Sequence, residues 1–175
     1  GYLTDLLSIK ANEVIRRKHV KPFFLALMFN APHWPWQGRK DNPYPDTLDY
    51  QAGGSPRIYA EMMKILDDGI GKILETLDQK NLSSNTLVIF TNDNGGEKFS
   101  DNGGLSSMKM NLWEGGIRVP AIVRWPGKIP AGFVTNQVAI TMDWSATILS
   151  AGGAIPDKQF PIDGIDLLPV LTGKK

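Results

Sequence analysis

Phe23-Phe24-Leu25-Ala26-Leu27-Met28-Phe29 is an unbroken apolar run, bounded by Pro22 on one side and by Asn30-Ala31-Pro32 on the other. A run this short and fenced by proline suits a β-strand buried on both faces, not a helix. On either side of it the pattern turns helical. Upstream, Leu6, Leu7, Ala11, Val14 and Ile15 form an apolar stripe behind Thr4, the expected N-cap, and the basic run Arg16-Arg17-Lys18-His19 complements the negative end of that helix. Downstream, residues 31–55 interleave Pro32, Pro35, Pro43, Pro45, Gly38, Gly53 and Gly54 with Trp34, Trp36, Tyr44 and Tyr50, the composition of a long, packed and shaped loop. Ser55 then caps a second helix that opens on Pro56, in which Tyr59, Met62, Met63, Leu66, Ile70, Ile73, Leu74 and Leu77 recur at gaps of three and four. Residues 86–91 read as a second apolar strand and residues 121–123 as a third, closed by the turn Trp125-Pro126-Gly127. Residues 143–151 read as a short helix ended by Gly152-Gly153. Strand, loop, helix and strand in this order imply an α/β fold with a mainly parallel central sheet flanked by helices.

The 175 residues fit one domain, since about 100–200 is usual. With 42% hydrophobic and 21% charged residues the chain has a globular composition, not a disordered one. Nineteen Lys and Arg against 18 Asp and Glu leave a formal charge of +1, which gives no bulk-charge footing for nucleic acid or a membrane surface. The absence of cysteine excludes disulfides, a thiol nucleophile and thiolate-bound metal within the chain. No stretch resembles a signal peptide or a membrane span, and the first residue is Gly1, so a piece of a longer protein is expected.

In open α/β sheets, ligands bind beyond the carboxyl ends of the strands, where two loops stand out. One holds His33 between Pro32 and Pro35, a rigid setting for an acid or base near neutral pH; the alternative is a turn histidine stacked on Trp34 or Trp36. The other holds Asn92-Asp93-Asn94-Gly95-Gly96. Asp93 and Asn94 are neighbouring hard oxygen donors suited to Ca²⁺ or Mg²⁺, with a simple Asn-Gly turn as the alternative. Asp101-Asn102-Gly103-Gly104 repeats those letters without a strand before it and reads as a decoy. Lys109, set among Met108, Met110, Leu112 and Trp113, wants a partner, either Glu114 or an anionic substrate; a plain surface lysine is the alternative. Glu114 and Arg118 read as a structural pair, His19 as structural, and Asn81-Leu82-Ser83 as a chance glycosylation sequon. Walker, Gly-x-Gly-x-x-Gly and Gly-x-Ser-x-Gly patterns are missing, which removes the usual support for nucleotide binding and serine hydrolysis.

Residues 22–35, 86–96 and 109–120, with Trp125-Pro126-Gly127-Lys128-Ile129 and residues 163–173, together resemble the sulfatases of the arylsulfatase and N-acetylgalactosamine-6-sulfatase type. The resemblance implies an alkaline-phosphatase-like α/β fold and hydrolysis of sulfate monoesters on a sulfated small molecule or glycan. It implies a divalent cation, usually Ca²⁺, held in part by Asp93 and Asn94. Lys109 would bind the sulfate oxygens, and His33 would hydrogen-bond the sulfate and assist the leaving oxygen. The family's nucleophile is a formylglycine made in an N-terminal Cys/Ser-x-Pro-x-Arg motif, which this chain lacks; Ser55-Pro56-Arg57 has the wrong spacing. Residues 1–175 therefore correspond to the later part of a sulfatase catalytic domain, without the nucleophile segment or the C-terminal subdomain, and inactivity of the chain alone is expected. Family habit places such a protein in the periplasm or outside the cell. Two other readings compete: a phosphoester or phosphonate hydrolase of the same superfamily, disfavoured because Asn94 stands where a histidine would favour it, and a non-catalytic module that binds sulfated glycans. Trp34 and Trp36 are candidates to stack on a sugar or aryl ring.

Overall fold

The computed structural model describes residues 1–41 and 53–174. Pro43, Tyr44, Pro45 and Tyr50 of the aromatic loop lie outside the described residues. Two units are distinguished: Gly1–Asn81 with Glu97–Asp101, and Leu82–Gly96 with Asn102–Lys175.

The first unit is built on helices α1 (Leu3–Arg16) and α2 (Pro56–Gln79). Ser55 caps α2 as its sequence predicts, its Oγ accepting the Ile58 N–H at 3.2 Å, with Pro56 in the first turn. Met62, Ile65, Leu66 and Leu77 of α2 are buried, whereas Met63 is 40% exposed. For α1 the expected cap and stripe both shift. The cap position falls on Tyr2, and Thr4 lies inside the helix and buried, joining Ser8, Ala11 and Ile15 in the inward row, while Leu6 points to solvent.

Small residues win that row because α2 comes close: a Cβ on Gly69 would collide with Ser8 Oγ. The Ser8 hydroxyl is satisfied within its own helix, donating to Thr4 O at 2.9 Å. One helical span further on, the Arg16 guanidinium donates to Thr76 Oγ1 at 3.3 Å. Contacts thus advance together along both helices, which run in the same direction.

Residues 23–29, between those helices, depart from expectation. Phe23, Leu25, Leu27 and Phe29 are half-buried, Phe24 and Met28 are 71% and 80% exposed, and the run forms no strand among the described residues. A strand buried on both faces needs neighbours on each side, and no described segment supplies one.

The second unit contains the described strand pair, β1 (Val88–Thr91) and β2 (Ala121–Arg124), in antiparallel register from Val88 opposite Arg124 to Thr91 opposite Ala121. The α/β class holds, but this pair is antiparallel where a mainly parallel sheet was expected. The connection explains the direction. The chain leaves Thr91 and returns at Ala121 beside it, carrying only the short helix α3 (Glu114–Ile117), so it makes no crossover.

Helix α4 (Thr141–Ala151) ends at Gly152 and Gly153, the latter at φ 66°, as predicted; α5 (Leu168–Leu171) follows. Two buried polar side chains of α4 hold residues 165–167. Asp143 accepts the Ile140 and Ile165 N–H groups, each at 2.8 Å. Thr147, fully buried, donates to Asp143 O at 2.7 Å and accepts the Leu167 N–H at 2.9 Å.

Thr147→Val keeps the shape but leaves the buried Leu167 N–H without an acceptor. It should cost about 1–3 kcal/mol in urea unfolding. In the first unit Arg39 grips Asp5 with two hydrogen bonds of 2.6 and 2.7 Å and holds its carboxyl below the ordinary 3.8. The stabilisation is complete above that value and is lost as pH falls through the lowered one; with both side chains partly exposed, it amounts to about 1 kcal/mol at most. Acid titration of the unfolding midpoint should show this decline in the natural chain and not in Asp5→Asn.

Candidate functional site

The antiparallel register makes residues 92–120 one closed loop, whose ends meet where Thr91 faces Ala121. The Thr91 hydroxyl donates to Pro120 O at 3.2 Å at its mouth. Asp93 and Asn94 follow β1 directly; Asp93 is exposed and Asn94 half-buried.

The next two residues explain why glycine follows. A Cβ on Gly95 would strike the Gly115 carbonyl, one on Gly115 the Ser106 and Ser107 carbonyls, and one on Gly116 the Asn111 and Met108 carbonyls. Backbone approach this close is open only to glycine. It is tied by hydrogen bonds from Gly95 N–H to Gly116 O at 2.9 Å and from Gly115 N–H to Ser106 O at 2.8 Å.

The Lys109 segment joins the same cluster, its N–H donating to Gly96 O at 2.9 Å. Lys109 is half-buried. On each side of it a non-glycine residue lies in the left-handed region, Ser107 at φ 71° and Met110 at φ 77°. Each costs about 1–2 kcal/mol, which the surrounding hydrogen bonds must offset. Glu114 and Arg118 form the expected pair at 3.1 Å, across one turn beginning at α3.

The structure therefore brings three predicted residues, Asp93, Asn94 and Lys109, into parts of one braced loop that belong to the second unit. His33 belongs to the other unit. Its N–H donates to Asn30 O at 2.8 Å, closing a turn, and its ring lies 4.6 Å from that of Trp34. Nδ1 lies 2.8 Å from Trp34 O. A carbonyl only accepts, so Nδ1 carries the hydrogen of this bond. Trp36 is 3% exposed and packs edge-on against Phe99 at 5.1 Å, which removes it as a stacking surface for substrate. Lys98 Nζ lies 5.1 Å from the Trp36 ring.

Asp93 and Asn94 have the donor chemistry of a hard divalent cation, but such an ion takes six to eight oxygens in the case of Ca²⁺. Among the described residues no group of three or more His, Cys, Asp or Glu side chains could hold a metal. The pair is a partial donor set. Sequence reasoning missed Asn102, dismissed as part of a repeated tetrapeptide although its side chain braces this loop. The glycines of residues 114–120 do signal close backbone approach, but not that Gly95 is the residue that meets them.

A family model described as Sulfatase matches residues 1–154. The N-acetylgalactosamine-6-sulfatase of dog (Canis lupus familiaris) is 37% identical over 179 residues, covering 98% of this chain and 33% of that protein. Human steryl-sulfatase (Homo sapiens) is 34% identical, covering 98% of this chain and 30% of that protein. The crystal structure of Ps i-CgsB in complex with k-i-k-neocarrahexaose superimposes with a TM-score of 0.83 at 33% identity, over 99% of this chain and 39% of that one. This chain spans about a third of the length of the curated relatives it matches.

Gly95→Ala should lower stability by about 1–3 kcal/mol through overpacking against the Gly115 carbonyl. Gly71→Ala, on α2 with open space around the new methyl group, should raise it by about 0.5–1 kcal/mol. Urea unfolding of the two variants checks the contrast.

Proposed function

The chain belongs to the sulfatase family, and from that premise we propose that it supplies cation-ligating and anion-binding residues to a site where a sulfate monoester is hydrolysed. The observation that carries this reading is the Lys109 N–H bond to Gly96 O, which ties the lysine segment to the Asp93–Asn94 turn inside one loop. In this reading the Lys109 ammonium binds the sulfate oxygens and offsets charge that develops as the ester S–O bond breaks. His33, anchored through Nδ1–H, donates from protonated Nε2 to the leaving oxygen. Asp93 and Asn94 provide two oxygen ligands for Ca²⁺ or Mg²⁺, the remainder coming from outside the described residues. A divalent cation bound there supplies charge neutralisation and orientation of the sulfate group.

The nucleophile lies outside these residues, because the chain has neither cysteine nor Ser-x-Pro-x-Arg; a formylglycine is the family's solution. A sulfated oligosaccharide is the substrate class we assign, supported by the likeness to Ps i-CgsB, crystallised with a neocarrahexaose. Among the described residues no helix is long and apolar enough to cross a membrane, and we assign the protein to the periplasm or the cell exterior.

In its full-length protein the chain should support sulfate release from an aryl sulfate or a sulfated oligosaccharide. Lys109→Ala should lower kcat/KM by about 100-fold or more, and Asp93→Ala should raise the cation concentration needed for half-maximal rate. Residues 1–175 by themselves should release no sulfate. Phosphate release from a phosphodiester or phosphonate without sulfate release would overturn the reading in favour of the related hydrolases. Binding of a sulfated oligosaccharide with no turnover would overturn it in favour of a non-catalytic module.

A further inference from the structure

Asn102 sits in a tetrapeptide that copies the letters of the Asp93 turn, yet its side chain turns back into the loop. Its Oδ1 accepts the Gly96 N–H at 2.9 Å. Its Nδ2 donates to Ser107 O at 3.1 Å and, more weakly, to Gly96 O at 3.4 Å. Only one amide orientation satisfies this set, since a flip would face Oδ1 with two carbonyls and Nδ2 with an N–H.

The two residues it joins are well chosen. Gly96 stands two positions after Asn94, and Ser107 stands two positions before Lys109. With the Lys109 N–H also on Gly96 O, every polar backbone group of Gly96 is engaged. Ser107 is one of the two left-handed residues flanking the lysine, a conformation that needs support from outside its own backbone.

We propose that Asn102 is a positioning residue: through Gly96 and Ser107 it sets the spacing between the Asp93–Asn94 cation ligands and Lys109. The assignment rests on the sulfatase reading for its functional consequence, and on the hydrogen bonds alone for its structural one. No other common side chain of this length both accepts from one backbone N–H and donates to two carbonyls. Alanine removes all three bonds. Aspartate keeps the acceptor for Gly96 N–H, loses the donors and faces Ser107 O with a carboxylate.

The test uses the full-length protein in natural form and as Asn102→Ala, Asn102→Asp and Thr147→Val. Thr147→Val is the control for loss of stability away from the site. Amide hydrogen exchange should accelerate at least about tenfold at Gly96 and Lys109 in Asn102→Ala, with α4 amides unchanged. In Asn102→Asp, Gly96 should stay protected while Lys109 accelerates. In sulfate release from an aryl sulfate, both Asn102 variants should lose about 10- to 100-fold in kcat with a smaller change in KM, and should raise the half-saturating cation concentration about tenfold or more. Thr147→Val should move neither quantity.

Unchanged exchange at Gly96 and Lys109 in Asn102→Ala would overturn the proposal. So would a cation requirement that shifts equally in Thr147→Val, because Asn102 would then act only through general stability. If the natural protein releases no sulfate, the sulfatase reading falls and the exchange measurement still decides what Asn102 holds.

Discussion

The candidate site depends on the space between Gly95 and the Gly115 carbonyl, which no side chain can enter. Two Gly-Gly pairs, some twenty residues apart in sequence, meet there with a hydrogen bond between Gly95 and Gly116. Glycine is expensive to order, since it loses more backbone freedom on folding than any other residue. The expense is offset because the meeting converts a long connection into a loop closed at two levels, once by the β1–β2 register and once by the glycines. Asp93 and Asn94 lie between the two closures. Their backbone is therefore fixed by the strand pair on one side and by the glycine contact on the other, with no need for the side chains to hold themselves in place. On the proposed reading that rigidity would serve the two side chains as ligands, since sites are most exact on rigid elements.

Close approach also organises the first unit, by the same means of removing side-chain volume. Ser8 and Gly69 bring α1 and α2 together, and the buried Ser8 hydroxyl costs little because it bonds to its own helix. Two helices running in the same direction need a connection that travels back the length of the pair. Residues 23–29 lie within that connection. Half-buried and exposed positions alternate along them, with Phe24 and Met28 among the exposed ones.

Legibility in the sequence followed the range of the interaction. Helices α2 and α4 were readable because cap, stripe and terminating glycine are all local signals, and Ser55 and Gly153 act as their types predict. Asp93 and Asn94 could be singled out as candidates from residue type and the glycines behind them, and Lys109 from its apolar neighbours Met108, Met110, Leu112 and Trp113. What holds them together could not, because the Gly95–Gly115 contact and the Asn102 bridge are non-local and leave no periodic trace. Thr4 misled for the opposite reason: a threonine near a helix start is a good cap, but here it lies inside the first turn, buried by tertiary packing. Trp36 misled because a tryptophan in a Pro-rich loop reads as a stacking surface, whereas here Phe99 and Lys98 enclose it. The parallel sheet was inferred from element order, which says nothing about a connection that turns back beside its own start.

The charge balance adds a constraint on how such a loop can act on an anion. With a formal charge of +1 spread over 175 residues, the chain has no bulk field to draw in a sulfate ester. Recognition must come from a few groups at short range, and on this loop Asp93 carries the wrong sign, exposed to solvent. A carboxylate beside a bound sulfate is repulsive, and Lys109 alone would only neutralise it. On the proposed reading that repulsion is a reason for the cation: a divalent ion ligated by Asp93 would offset the charge of its carboxylate, so the same residue would change from an obstacle to an anchor. On the same reading Asn94 would ligate through an amide oxygen, which holds an ion without cancelling more of its charge. An aspartate in its place would bind the ion more tightly and the sulfate less well.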